Sequence, residues 1–306
     1  MGIAVLFPGQ GTQAAGMGLP WQDHPAWGLV ERAEAALGEP LAHLLLAESA
    51  EDLARTRDSQ LSVLLASLLA WEAVRPAVGP PVAFAGHSLG QVTALIAAGA
   101  LGLEDGVRLA ARRAELTQAS ADRRPGRMVA LIGADEAQAA EACAAAPDEC
   151  WLANDNAPGQ LVIAGTPSGV ERATKAAGDL DIRRVMPLKV GGAFHTPLMQ
   201  EAADAFREVL AGVTFAEGSA PVVSNADARP YGSADGWRDR LADHLVSPVR
   251  WRPSMLTMVE ELGATAFAEV GCGSMLAGLA KRCVPGVPVH GVGSPADVAR
   301  LSEVRA

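Results

Sequence analysis

Residues Ile3–Phe7 form an unbroken apolar run that stops at Pro8-Gly9, the pattern of a strand buried on both faces in a parallel sheet. A helix-rich stretch follows, from about Trp27 to Val78. Within it Leu61, Leu64, Leu65, Leu68 and Leu69 recur at helical spacing and predict a core-facing stripe. Val82–Ala85 predicts a second short strand, Gln91–Ala98 the helix that follows it, and Arg108–Gln118 an amphipathic helix rich in arginine.

The rhythm changes at Asp122-Arg123-Arg124-Pro125-Gly126. Strand Met128–Ile132, helix Glu136–Ala145, strands Trp151–Asn154 and Leu161–Ala164, helix Gly169–Ala177 and strand Arg184–Val190 follow in that order. This β-α-β-β-α-β sequence is that of a ferredoxin-like unit. We therefore place an inserted subdomain at 124–190, bounded by Pro125-Gly126 and Gly191-Gly192, within a larger α/β domain made of 1–123 and 191–306. Pro221–Ser224 and Ala266–Val270 predict further strands of the larger domain, and Met199–Leu210 and Ser274–Cys283 further helices.

Charge narrows the function. The formal net charge is −10, which argues against nucleic acid and anionic membranes as partners, since both are held by Lys and Arg. The longest apolar stretch, Leu61–Val74, is too short and too interrupted to span a bilayer, and no basic segment precedes the first strand as in a signal peptide. The four cysteines form no CxxC pair and read as free thiols of a reducing compartment. A soluble cytoplasmic protein is expected.

The chemistry centres on Gly86-His87-Ser88-Leu89-Gly90, a G-x-S-x-G between a predicted strand and a predicted helix. Such a turn exposes the serine hydroxyl above the sheet and aims the N-terminal N–H groups of the helix at a reacting carbonyl. Leu89 supplies the first oxyanion donor. The serine needs a base. Of six histidines, His87 lies next to Ser88 on a tight turn, where neighbouring side chains diverge, and reads as a packing residue. His24 and His43 lie in the early helical region. His195, in Gly191-Gly192-Ala193-Phe194-His195-Thr196-Pro197, follows the last strand of the insertion in a loop that allows close approach; His244 and His290 remain weaker candidates.

Four segments together resemble the malonyl-CoA:acyl carrier protein transacylases and the related acyltransferase domains of polyketide synthases. They are Phe7–Gln13, Gly86–Gly90, Gly192–His195, and Glu269–Leu276 followed by Gly278-Leu279. The resemblance covers essentially the whole chain. It implies an α/β-hydrolase-like large domain with a ferredoxin-like small subdomain. It also implies a monomer with no bound cofactor or metal, malonyl-CoA as the acyl donor, and an acyl carrier protein as partner and acceptor.

It further implies roles for particular residues. Ser88 is the nucleophile and His195 its base, with the ring oriented by a backbone carbonyl in the loop matching Ser247–Trp251. Gln10 gives a second oxyanion N–H. Arg113 grips the free carboxylate of the substrate, the neighbouring Arg112 being the ordinary solvated alternative. Asn154 and Asn156 face the cleft from the small subdomain. Phe194, just before the histidine, implies malonyl over methylmalonyl.

Three positions depart from the family pattern. Gln91 stands where Glu is usual, Thr117 where Met is common, and Cys272 where Pro is common. Gln91 and Thr117 are expected near the pocket, where they bear on acyl specificity and open the alternative of a non-malonyl acyl unit in a specialised pathway. Arg123, Arg124 and Arg127, or Lys281-Arg282, are the basic clusters available to an acidic carrier. Two rivals stand beside this reading: an acyl-thioesterase or other serine hydrolase using a late histidine such as His290, and a catalytically silent carrier-protein binder.

Overall fold

The computed structural model describes residues 2–49, 51–182 and 184–305. Its strands, in chain order, are β1 (Ile3–Phe7), β2 (Ala83–Gly86), β3 (Arg127–Ile132), β4 (Cys150–Ala157), β5 (Gln160–Gly165), β6 (Arg184–Pro187), β7 (Val222–Val223), β8 (Pro230–Tyr231), β9 (Val249–Arg250), β10 (Ala266–Val270) and β11 (Val289–Val292). They make two sheets in a mixed α/β fold. The larger runs β11-β10-β1-β2-β7-β8 and is parallel except for β8; the smaller runs β6-β3-β5-β4-β9.

The continuous apolar run of β1 is explained by its central place. Ile3, Val5 and Phe7 enter one buried cluster with Trp71 and Phe84, while Ala4 and Leu6 enter another with Trp251 and Phe267 on the opposite face. The leucine stripe lies on the helix Thr56–Val78, and all five leucines are buried. This helix is long and apolar enough to cross a bilayer by length and composition, more so than the Leu61–Val74 stretch suggested; most of it is buried inside the protein.

The smaller sheet packs the helices Glu136–Ala144 and Pro167–Gly178 against one face through Val129, Leu131, Leu161 and Ile163. Alternate residues Met128, Ala130, Val162 and Ala164 form a second cluster on the other face, with Ala193. Its strand order, counted within the segment, is 4-1-3-2. The sheet then takes a fifth strand, β9, from outside residues 124–190, paired parallel to β4 at Asn154 and Asp155. β6 ends at Pro187, short of the predicted Val190. Proline has no N–H for the ladder, and the Val190 N–H turns back to the Leu188 carbonyl.

Candidate active site

β2 ends at Gly86 and the helix Gly90–Ala97 begins four residues later, so Ser88 lies on a sharp turn with φ of 54°. Glycine is required at both ends of this turn. A Cβ on Gly86 would lie 1.8 Å from the Gly90 carbonyl oxygen, and one on Gly90 would lie 2.2 Å from that of Phe7. The Pro8–Gln10 segment packs against the turn just as closely, since a Cβ on Gly9 would meet the His87 carbonyl oxygen at 2.3 Å and the Leu89 nitrogen at 3.7 Å. Among the described residues, neither the Gln10 nor the Leu89 N–H has an acceptor within the protein. Two unengaged donors beside a serine hydroxyl are what a developing oxyanion needs.

His195 also sits at positive φ, 62°, in the loop after β6, and is buried. Its Nδ1 lies 2.9 Å from the His244 carbonyl oxygen, which can only accept; Nδ1 therefore carries the proton and Nε2 is bare. Nε2 accepts from Ser88 Oγ at 2.8 Å. The orienting carbonyl thus belongs to His244, just past the helix Trp237–Asp243, and not to the 247–251 loop expected from sequence, although the Ser247 backbone also favours the charged ring. The His244 ring itself lies 4.7 Å from that of His195, centroid to centroid. Burial, and then the Arg113 charge, push His195 down to about 3, so the free site holds it as a neutral base.

Arg113 projects from the helix Leu103–Arg123 and is 6% exposed. Its Nη2 donates to Ser88 Oγ at 3.2 Å and its Nη1 to Gln60 Oε1 at 2.8 Å. No carboxylate pairs with it among the described residues, and burial pushes it down to about 10. Arg112, one residue earlier, is exposed and paired with Glu115 at 2.5 Å.

Gln10, Gln60, Ser88, Arg113, Thr117, Asn154, Asn156, Phe194 and His195 line one cleft of about 360 Å³ between the two sheets, with Met128, Ala130 and Val162 of the smaller sheet opposite the nucleophile. Asn156 Oδ1 accepts from His87 Nε2 at 2.8 Å, which places His87 in the wall of the cleft, packed on Trp251. Thr117 Oγ1 is turned back to its own helix, to the carbonyls of Arg113 and Ala114.

Gln91 does not line the cleft. It is buried behind the nucleophile turn, where its Oε1 accepts the Asn225 N–H at 3.1 Å, so its part is structural support and not contact with an acyl group. Asn225 and Gln60 were not singled out by sequence, and His244, a weaker candidate for the base, instead serves through its backbone carbonyl. His290 lies on β11, separated from β2 by β10 and β1, and lines no part of the cleft. Arg123 and Arg124 both pair with Glu201, whereas Arg282 bonds Gln160 and the Pro158 carbonyl near the cleft.

A family model described as an acyl transferase domain matches residues 5–292. The malonyl CoA-acyl carrier protein transacylase of Escherichia coli (strain K12) is 37% identical over 310 residues, 99% of this chain and 99% of that protein. That of Bacillus subtilis (strain 168) is 37% identical over 289 residues, 92% of this chain and 90% of that protein. Among solved structures, the malonyl-transacylase PlMCAT, in complex with the type II polyketide synthase acyl-carrier protein AntF, superposes with a TM-score of 0.94. It is 34% identical, covering 99% of this chain and 100% of that one.

Proposed function

The chain belongs to the acyl transferase family, and from that premise we propose that it moves a malonyl group from coenzyme A to the phosphopantetheine thiol of an acyl carrier protein, through an ester on Ser88. The observation that carries this reading is Arg113. A buried guanidinium without a carboxylate partner, 3.2 Å from a serine hydroxyl, is a costly arrangement that an incoming carboxylate relieves.

The steps follow from the geometry. Ser88 Oγ attacks the thioester carbonyl and its proton passes to His195 Nε2. The His244 carbonyl holds the Nδ1–H and fixes the ring. The N–H groups of Leu89 and Gln10 receive the oxyanion. As the C–S bond breaks, His195 returns the proton to the departing coenzyme A thiolate. The carrier thiol then gives its proton to His195 and attacks the ester, and Ser88 regains its hydrogen. The reaction draws on the chain's own groups, the acyl thioester of coenzyme A and the carrier thiol.

The finer features belong to the same reading. The 4-1-3-2 order of β3–β6, with two helices on one face, supports a ferredoxin-like subdomain at 124–190, and the parallel sheet with its nucleophile turn supports an α/β-hydrolase-like domain around it. We place the enzyme in the cytoplasm as a monomer. Lys281 and Arg282 are the better basic patch for an acidic carrier, because Glu201 offsets Arg123 and Arg124.

Intact-protein mass spectrometry after brief exposure to malonyl-CoA tests the assignment. A malonyl adduct is expected in the native protein, none in Ser88→Ala, and a slower one in Arg113→Ala. Coenzyme A release without any adduct would instead favour a hydrolase.

A further inference from the structure

Asn225 makes four hydrogen bonds, one from each of its polar groups. Its backbone N–H donates to Gln91 Oε1 at 3.1 Å, and its backbone carbonyl accepts from the Arg250 N–H at 2.8 Å. Its side-chain Nδ2 donates to the Gly86 carbonyl at 2.8 Å, and Oδ1 accepts from the Ser88 N–H at 2.8 Å. The residue is fully buried.

The pair of side-chain bonds has the form of a sheet ladder. In a parallel pair, the residue opposite position i donates its N–H to the carbonyl of i−1 and accepts from the N–H of i+1. Ala85 is paired with Val223, so the register puts position 225 opposite His87, whose flanking groups are the Gly86 carbonyl and the Ser88 N–H. The Asn225 backbone has turned away to Gln91 and Arg250. Its side-chain amide, with one donor and one acceptor in a plane like a peptide unit, takes the vacant place.

We infer that Asn225 is the positioning residue for the nucleophile, extending the sheet by one amide so that the turn keeps Ser88 at its positive φ. The inference rests on the reading of Ser88 as the nucleophile. Two consequences bear on chemistry. The Ser88 N–H is engaged and stays out of the oxyanion site, leaving the Leu89 and Gln10 donors to define it. The turn is also tied through Arg250 to β9, and hence to β4, which carries Asn154 and Asn156. Asn225 thus adds a second tie between the two walls of the cleft, beside the direct His87–Asn156 bond.

Asn225→Ala removes both side-chain bonds. Asn225→Asp gives a finer test. Its carboxylate accepts from the Ser88 N–H but turns a second oxygen against the Gly86 carbonyl, whereas the protonated acid donates there and restores the native pattern. The readout is labelling of Ser88 by a fluorophosphonate, in which Oγ bonds phosphorus, fluoride leaves and His195 takes the proton. It is followed alongside malonyl adduct formation in the full chain.

Asn225→Ala should slow labelling about 10- to 100-fold, the scale of a small displacement of reacting groups, with the half-saturating malonyl-CoA concentration changed less than about threefold. The Asn225→Asp deficit, taken as a ratio to the native protein at each pH, should shrink on acidification; His195 and Arg113 are present in both proteins and largely cancel in the ratio. Labelling of Asn225→Ala within about threefold of native would overturn the inference, as would an Asp deficit independent of pH. If the native protein is labelled at Ser88 but takes no malonyl group, the substrate reading fails while the positioning claim is still decided by the labelling rates.

Discussion

Arg113 and Ser88 are joined directly, guanidinium to hydroxyl at 3.2 Å, in a site where no acidic side chain offsets the charge among the described residues. A substrate carboxylate bound there would complete a charge-assisted pair close to the reacting carbonyl. Arg113→Ala should therefore lower kcat/KM for malonyl-CoA by about 10- to 150-fold, the equivalent of ~1.5–3 kcal/mol for hydrogen bonds to a charged group. Acylation by acetyl-CoA, which has no carboxylate, should fall much less. Equal losses for the two donors would show that Arg113 is a scaffold residue and not a carboxylate clamp.

The same guanidinium is the second cause, after burial, of the depressed pKa of His195. Removing the positive charge favours the protonated imidazole, so Arg113→Gln should raise the His195 pKa from about 3 and move the acidic limb of fluorophosphonate labelling toward higher pH. Binding of a carboxylate to Arg113 acts in the same direction, making His195 a stronger base only when malonyl is in place. An acidic limb unmoved by the substitution would contradict this coupling.

His87, His195 and His244 are all buried and all titrate below the ordinary value of 6.5. Between the folded values and 6.5 the unfolded chain binds more protons than the folded one, so stability is full above 6.5 and is lost as pH falls through that window. Urea unfolding from about pH 7.5 to about pH 5 should show this loss, and His244→Gln should reduce its slope by up to ~1.4 kcal/mol per pH unit, one proton's share. A slope unchanged in the variant would mean that His244 does not titrate between the two states.

Phe194 lines the cleft beside His195. Phe194→Ser opens space at the α-carbon of the bound acyl group and should raise acylation by methylmalonyl-CoA relative to malonyl-CoA by about 10- to 200-fold, the range for one methyl group. Competition between the two thioesters, read from the masses of the two adducts, measures the ratio directly. An unchanged ratio would move selectivity elsewhere in the cleft.

Much of this arrangement was legible in the sequence because long elements carry strong periodicity. β1 and β10 have their predicted limits, and the leucine stripe lies in the core. The segments around Gln10, Ser88, Arg113 and His195 were singled out separately and meet in one cleft. Of the three shortest strands, Val222–Val223 lies within the expected Pro221–Ser224, and the other two were not legible. Val249–Arg250 and Pro230–Tyr231 have two residues each, too few for an alternation to register, and His290-Gly291 interrupts the apolar pattern of β11. The helix Trp251–Glu260 carries Pro253 in its first turn, where a missing N–H costs no hydrogen bond. Asn225 belongs to no motif. The available signal was its position, at the end of a short apolar strand that the parallel sheet sets beside the nucleophile turn. Gln91 was expected near the pocket because it directly follows the Gly86–Gly90 segment, but the first turn of its helix directs it behind the turn to Asn225.

The central claim is that the ester on Ser88 passes to a carrier thiol and not to water. The direct measurement is to isolate the malonyl-enzyme free of malonyl-CoA, mix it with a phosphopantetheine-bearing acyl carrier protein or with buffer alone, and follow the masses of both proteins with time. Transfer predicts that the enzyme loses its malonyl mass as the carrier gains it, while the ester persists in buffer. Discharge at the same rate in buffer, with malonate free in solution and the carrier unmodified, would contradict the account and identify a hydrolase.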